Sequence, residues 1–383
     1  MKITRAECLP LQGRSPKGGW TNEIRPEDSV HALIVLATDA GAVGTGSVFT
    51  DGRLAQAGLD VLRPLLLGER ADEPARVAEK LHQNTFWMGR GGTLTHVISG
   101  IDIALWDMFG KITGQPVSRL LGGRHRERVR AYASILMEEP GLMRERCAHY
   151  REQGFRAIKI GWGPFGRRGD ARLDQAIVAA ARAGAGDDCL LMVDAGASDA
   201  FWPNGLKWAL NTARMLVDHD VAWFEEALVP DAMDDFRELR RQSPVPVAGG
   251  ECLTRRQTYL PWLRDGAFDI VQPDVTKVGG ISEQMQIARM AEAFGVKVVG
   301  HGWNTAVGLA ADLQLAAAIP SCDLVEYIGG SPYVDDAVVT PWQLDADGYL
   351  AIPDAPGLGL ALDIDALADM TPNRNALDLL RHA

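Results

Sequence analysis

The chain is poor in the features that would place it outside the cell or in a membrane. Its five cysteines, Cys8, Cys147, Cys189, Cys252 and Cys322, are odd in number, scattered and free of CxxC spacing. They fit reduced thiols in a cytosolic enzyme better than a disulfide framework. Cys252 directly follows Glu251 and is expected as a neutral packing thiol rather than a nucleophile. No apolar run approaches the roughly 20 residues needed to span a bilayer. The start, Met1-Lys-Ile-Thr-Arg-Ala-Glu7, lacks the apolar centre of a signal peptide. A soluble, cytoplasmic protein without a membrane partner is expected. A basic surplus is missing as well: 39 Lys and Arg face 50 Asp and Glu, a net charge of −11. That balance argues against a nucleic-acid partner, although local cations or a metal still allow an anionic substrate. Low-complexity segments are absent.

What is present is an ordinary globular composition, 46% hydrophobic and 23% charged over 383 residues, and a repeated pattern. Six charged or ionisable side chains end six successive apolar runs: Asp194, Glu225, Glu251, Asp274, His301 and Glu326. Their spacing is about one βα unit each, the period of a (β/α)8 barrel of about 250 residues. In such a barrel the ends of parallel strands form the catalytic mouth. Two earlier strands, ending near Ile135 and Lys159, complete eight.

The first part reads differently. Lys2 to Leu11 and His31 to Thr38 look like strands, the second followed by the turn signal Asp39-Ala-Gly41. Helical periodicity follows, with Val97, Ile101, Leu105 and Phe109 at spacing four. The predicted fold class is therefore α/β: a TIM-type barrel over residues 126–350 with an α+β capping domain over 1–125. Residues 351–383 form a tail that returns to the cap. Two loops, Gly13–Asp28 and Ser47–Gly58, are expected to close over the mouth.

Three carboxylates converging without a cation would raise one another's pKa values. Asp194, Glu225 and Glu251 on consecutive strands therefore suggest a hard divalent ion, and an all-oxygen set suits Mg²⁺. Asp274 and His301 close neighbouring strands. A carboxylate beside an imidazole fixes its tautomer and raises its basicity, which describes an oriented general base. Lys159, across the mouth, is suited to neutralising a substrate carboxylate or, with a depressed pKa, to acting as a base.

These residues resemble the enolase superfamily and, more narrowly, its mandelate racemase subgroup, over nearly the whole chain. The resemblance rests on Ile98-Ser-Gly-Ile-Asp-Ile-Ala-Leu-Trp-Asp107, Gly114-Gln-Pro-Val117, Leu120-Leu-Gly-Gly123, Gly154-Phe-Arg-Ala-Ile-Lys159, Trp223-Phe-Glu-Glu226, Gly250-Glu251, Gly279-Gly-Ile281 and Pro356-Gly-Leu-Gly359. It implies Mg²⁺ ligands at Asp194, Glu225 and Glu251, a His301–Asp274 dyad, and Glu326 as a protonated hydrogen-bond donor to an enediolate oxygen. Lys277 is a family-typical residue read as structural. Dimers or octamers are implied, hence a homo-oligomer.

Two departures stand out. The family's second strand commonly ends Lys-x-Lys, and the second lysine is the base facing the dyad; here that position is Gly161. Members also often carry Asn two positions after the first metal-binding Asp, where this chain has Gly196. Together the glycines predict a mouth widened on the lysine side. With one clear base, the expected reaction is dehydration of an aldonate or aldarate, a small-molecule carboxylate substrate, to a 2-keto-3-deoxy acid. Arg14, Lys17 and Trp20 are candidate substrate contacts. The alternatives are a racemase or epimerase of a 2-hydroxy acid, and a metal-dependent carboxylate-binding protein without turnover.

Overall fold

The computed structural model describes residues 1–12, 30–197, 202–371 and 373–381. Arg14, Lys17 and Trp20, with the first of the two expected loops, lie outside the described residues.

Three antiparallel strands open the chain: β1 (Ile3–Leu11), β2 (His31–Thr38) and β3 (Val43–Phe49), in that order across the sheet. Every residue of β2 is buried, which is why it reads as a continuous apolar run. Gly41, at φ +83°, makes the turn into β3. The long helix Thr93–Thr113 lies directly on β3. A Cβ at Gly46 would stand 1.8 Å from the Gly100 carbonyl oxygen, so only glycine allows that approach. Val97, Ile101 and Leu105 are fully buried on this helix, while Phe109 is only partly so.

The second expected loop, Ser47–Gly58, is not a loop. β3 runs on to Phe49, and Asp51 caps a helix over Gly52–Leu66 by accepting from the Arg53 N–H at 2.8 Å. The burial of Ala55, Leu59, Leu62 and Leu66 at helical spacing decides the matter.

Eight parallel strands follow: β4 (Arg128–Leu136), β5 (Ala157–Gly161), β6 (Leu190–Asp194), β7 (Val221–Glu225), β8 (Val247–Gly249), β9 (Ile270–Val271), β10 (Lys297–Val298) and β11 (Leu324–Tyr327). They pair in sequence from β4 to β10, and β11 returns to pair with β4. Among the described residues no ladder joins β10 to β11. The gap is spanned by the Gly302 N–H, which donates to Glu326 Oε2 at 2.8 Å. One side chain per strand position, namely Tyr132, Ala157, Met192, Trp223, Ala248, Ile270, Val299 and Leu324, packs into a single cluster inside the barrel. This floor is apolar, and the charged layer stands on it.

A short strand, β12 (Tyr349–Ala351), adds antiparallel to the start of β4. The tail is more ordered than its irregular sequence suggests, with helices Ile364–Met370 and Arg374–Arg381. It reaches the cap through the Asn373 side chain, which donates to the Cys8 carbonyl at 2.6 Å. The cap is tied to the barrel by Asp102, whose two oxygens accept from the Ser282 N–H and hydroxyl at 2.9 and 2.6 Å. No helix among the described residues is long and apolar enough to cross a membrane.

Candidate active site

The C-terminal strand ends gather the predicted residues around one cavity of about 490 Å³. Lys159, Asp194, Glu251, His301 and Glu326 line it; Glu225 and Asp274 stand behind them, fully buried.

On the β9–β10 flank, Asp274 and His301 form a parallel bridge that continues the sheet. His301 Nδ1 lies 2.7 Å from Asp274 Oδ2. The other Asp274 oxygen accepts from the Thr276 N–H and hydroxyl at 2.7 and 2.6 Å. Burial opposes ionisation of Asp274, but Lys277, at 3.5 Å, and these hydrogen bonds outweigh it and hold the carboxyl well below its usual range. Nδ1 therefore donates to a fixed carboxylate, and Nε2 is directed at the mouth, 3.1 Å from Glu251 Oε2. Burial disfavours the imidazolium, yet Glu251, Glu326 and Asp274 push the His301 pKa up to about 9.

Lys277, expected as structural, belongs to this flank. Its ammonium lies 3.5 Å from Asp274, 3.8 Å from Glu251 and 4.3 Å from the centroid of the Phe49 ring, and it lines the cavity. A helical turn after β9, in which the Lys277 N–H donates to the Asp274 carbonyl, brings it back over the dyad. The spacing of three from Asp274 was the available signal.

The opposite flank is a buried ion cluster. Lys159 Nζ stands 2.6 Å from Glu225 Oε1, 3.1 Å from Glu326 Oε1 and 3.8 Å from Asp194 Oδ2. Burial works against its charge, but the three carboxylates raise its pKa well above the ordinary lysine value. Glu326 faces the same ammonium. Burial raises its pKa, but Lys159 and His301 pull it down to about 2; Oε2 accepts from the Gly302 N–H at 2.8 Å, and Oε1 faces the Lys159 ammonium at 3.1 Å as an ion pair.

Neither of the two glycines leaves open space where a Cβ would sit, although Gly161 lines the cavity. A Cβ at Gly161 would meet Asp194 Oδ2 at 3.0 Å, so the aspartate itself leans into that space. Over Gly196 lies the ring of Trp162, 2.6 Å from where a Cβ would sit. Trp162 reaches it from a left-handed backbone, φ +61°. Arg167 holds the corner, donating to the Ala195 and Gly196 carbonyls at 3.1 and 2.8 Å with its guanidinium 5.3 Å from the centroid of the Trp162 ring. Trp162, Trp303 and Phe49 thus give the cavity an aromatic wall.

The donor set suits a divalent cation. Burial and the neighbouring Glu225, Glu251 and Glu226 raise the Asp194 pKa well above the carboxylate range, a surplus of negative charge that a cation would relieve. Register places Asp194 beside Glu225. Glu225 Oε2 accepts from Trp223 and Gln272 at 2.9 and 2.7 Å, which aims Oε1 at the cluster. Glu226, at φ +44°, turns the other way and brings an oxygen within 4.8 Å of ligand atoms of Glu251 and Cys252. Cys252 is exposed beside the cavity rather than packed, while the other four cysteines are buried; no disulfide forms among the described residues.

The site is thus a barrel with carboxylates at the ends of its third to fifth strands and a His–Asp pair at the ends of its sixth and seventh, under an α+β cap. Residues 142–366 match the enolase C-terminal domain-like family, and residues 26–122 match the mandelate racemase / muconate lactonizing enzyme N-terminal domain. The chain belongs to this family, the mandelate racemase branch of the enolase superfamily. It is 34% identical to the D-galactarolactone cycloisomerase of Agrobacterium fabrum, over 96% of this chain and 98% of that protein. It is 32% identical to the D-xylonate dehydratase of Haloferax volcanii, over 88% and 84%. The 3,6-anhydro-D-galactonate cycloisomerase of Zobellia galactanivorans superposes with a TM-score of 0.87 at 28% identity, covering 97% of this chain and all of that one. The relatives are enzymes, sugar-acid dehydratases and cycloisomerases, and Mg²⁺-dependent removal of an α-proton is general to the family.

Proposed function

We propose that this chain removes the proton α to the carboxylate of a sugar acid and eliminates the oxygen on the next carbon, most directly as an aldonate or aldarate dehydratase. The observation that carries this reading is the one-sided placement of bases. His301 presents Nε2 to the cavity from a dyad with Asp274. The facing position, Gly161, has no proton-transfer group, and Lys159 beside it is ion-paired with Glu225 and Glu326 at 2.6 and 3.1 Å.

His301 Nε2 takes the C2 proton, and the C–H electron pair moves into the carboxylate as an enediolate. Lys159 neutralises charge on its oxygens. Collapse of the enediolate expels the C3 hydroxyl, which leaves as water with the proton His301 had taken. The resulting enol gains a proton at C3 to become a 2-keto-3-deoxy acid. Asp194, Glu225 and Glu251 are the ligands we assign; Mg²⁺ bound there would act as a Lewis acid and neutralise the carboxylates that now hold the His301 proton.

The aromatic wall favours a second form of the same chemistry. If the β-oxygen belongs to a ring, as in a lactone or anhydro sugar acid, elimination opens the ring and no water is lost. A chain that inverts C2 would need a second base, which Gly161 does not supply. Incubating open-chain and ring-closed sugar acids with enzyme and Mg²⁺ in D₂O, followed by NMR, tests the reading. A 2-keto-3-deoxy product supports it, and C2 inversion without elimination would overturn it. Mg²⁺-dependent binding with neither exchange nor product would identify a binding protein instead.

A further inference from the structure

We propose that His96 is a specificity-determining hydrogen-bond acceptor, contributed by the cap, that recognises a hydroxyl of the substrate. The inference rests on the sugar-acid reading above and adds what the cap side of the pocket demands of the ligand. His96 lies in the first turn of the helix Thr93–Thr113, and its ring lines the cavity that also holds His301, Lys159 and Glu326.

The tautomer follows from one contact. His96 Nδ1 is 2.7 Å from the Phe49 carbonyl oxygen. A carbonyl only accepts, so Nδ1 carries the proton, and Nε2 of the neutral ring is left with a lone pair. Nε2 makes no hydrogen bond to a described residue, and the ring opens onto the cavity. Burial, reinforced by nearby Lys277, lowers the His96 pKa to about 4, so the ring stays neutral under ordinary conditions. The cationic groups around it, Lys159 and Lys277, already face carboxylates. His96 is therefore a fixed neutral acceptor on the wall opposite the strand ends, and the group that complements it is a donor, a hydroxyl. A polyhydroxy acid supplies one beyond the reacting carbons. A 2-hydroxy acid with a plain aryl or alkyl substituent does not, and would leave this acceptor without a substrate donor.

Two measurements test this. ¹⁵N NMR of histidine-labelled protein, with His96 assigned by its loss in His96→Asn, should show protonated Nδ1 and unprotonated Nε2 at neutral pH. A ring protonated on Nε2, or on both nitrogens, overturns the proposal without needing a substrate. The second compares C2 deuterium exchange of a sugar acid with that of analogues deoxygenated at single positions beyond C3. Wild type should discriminate against one analogue by about 10- to 100-fold in kcat/KM, expressed mainly in KM. His96→Asn can keep the Phe49 bond but not the acceptor and should collapse that ratio. His96→Gln, whose Oε1 can stand where Nε2 stood, should restore most of it. Equal ratios in all three proteins overturn the proposal while leaving the α-proton chemistry intact. Absence of exchange by wild type with any sugar acid sinks the underlying reading itself.

Discussion

The two flanks of the barrel mouth are built on opposite plans. On the β9–β10 side, each partner of the dyad is locked by neighbours that leave one reactive edge: Asp274 by Thr276 and Lys277, His301 by Asp274. On the β5–β6 side a single ammonium, Lys159, is shared among three carboxylates, and the nearby glycines are filled by Asp194 and Trp162. We read one flank as arranged to move a proton and the other as arranged to hold charge and shape the pocket; the proposed elimination rests on that asymmetry.

The largest effect should come from breaking the proton-moving side. His301→Asn is expected to lower C2 exchange by about 10²- to 10⁴-fold, while Mg²⁺ affinity by calorimetry stays nearly unchanged. Comparable losses of both would mean that His301 belongs to the charge-holding side as well. Asp274→Asn should cut turnover by about 10²-fold and leave Lys277 without its closest partner. Breaking a buried pair costs about 3 kcal/mol, to be read as a lower urea midpoint.

On the charge-holding side, Glu225→Gln and Glu226→Gln sharpen the ligand assignment. Even supporting residues of metal sites cost roughly tenfold to a hundredfold in affinity. The account expects at least that for Glu225→Gln and a smaller change for Glu226→Gln, by Mg²⁺ titration. The reverse order would transfer the third ligand to Glu226. The smallest expected effect concerns shape. Gly196→Ala places a methyl against the Trp162 ring at φ +57° and should destabilise by about 1–3 kcal/mol. Trp162→Ala should absorb part of that cost, giving a coupling of at least about 0.5 kcal/mol in a double-mutant cycle. Additive effects would mean that the ring does not fill the glycine's space.

How much of this was legible in sequence follows from what each feature depends on. Charged residues ending apolar runs at the βα period disclose the barrel and its mouth, because strand period and strand end are local properties. Asp274 and His301 were readable as a pair because neighbouring strands put them side by side. Lys277 was harder, since its role depends on a turn that folds the chain back over the dyad. Trp162 was not readable: nothing local announces that a tryptophan takes φ +61°, and Gly196 looked like open space. The loop expected over Ser47–Gly58 failed because an Asp N-cap and an apolar stripe outweighed its glycines. The place of His96 in the cavity depends on the cap helix docking on the barrel, which no local pattern encodes.

The most direct test of the asymmetry is the stereochemistry of proton transfer at C2. Each C2 epimer of a reactive sugar acid would be incubated with enzyme and Mg²⁺ in D₂O, and the recovered acid and product followed by NMR. The account predicts that one epimer alone exchanges and eliminates, with retention in whatever acid is recovered. Deuterium entering both epimers, with interconversion between them, would reveal a base on the β5–β6 flank and contradict it.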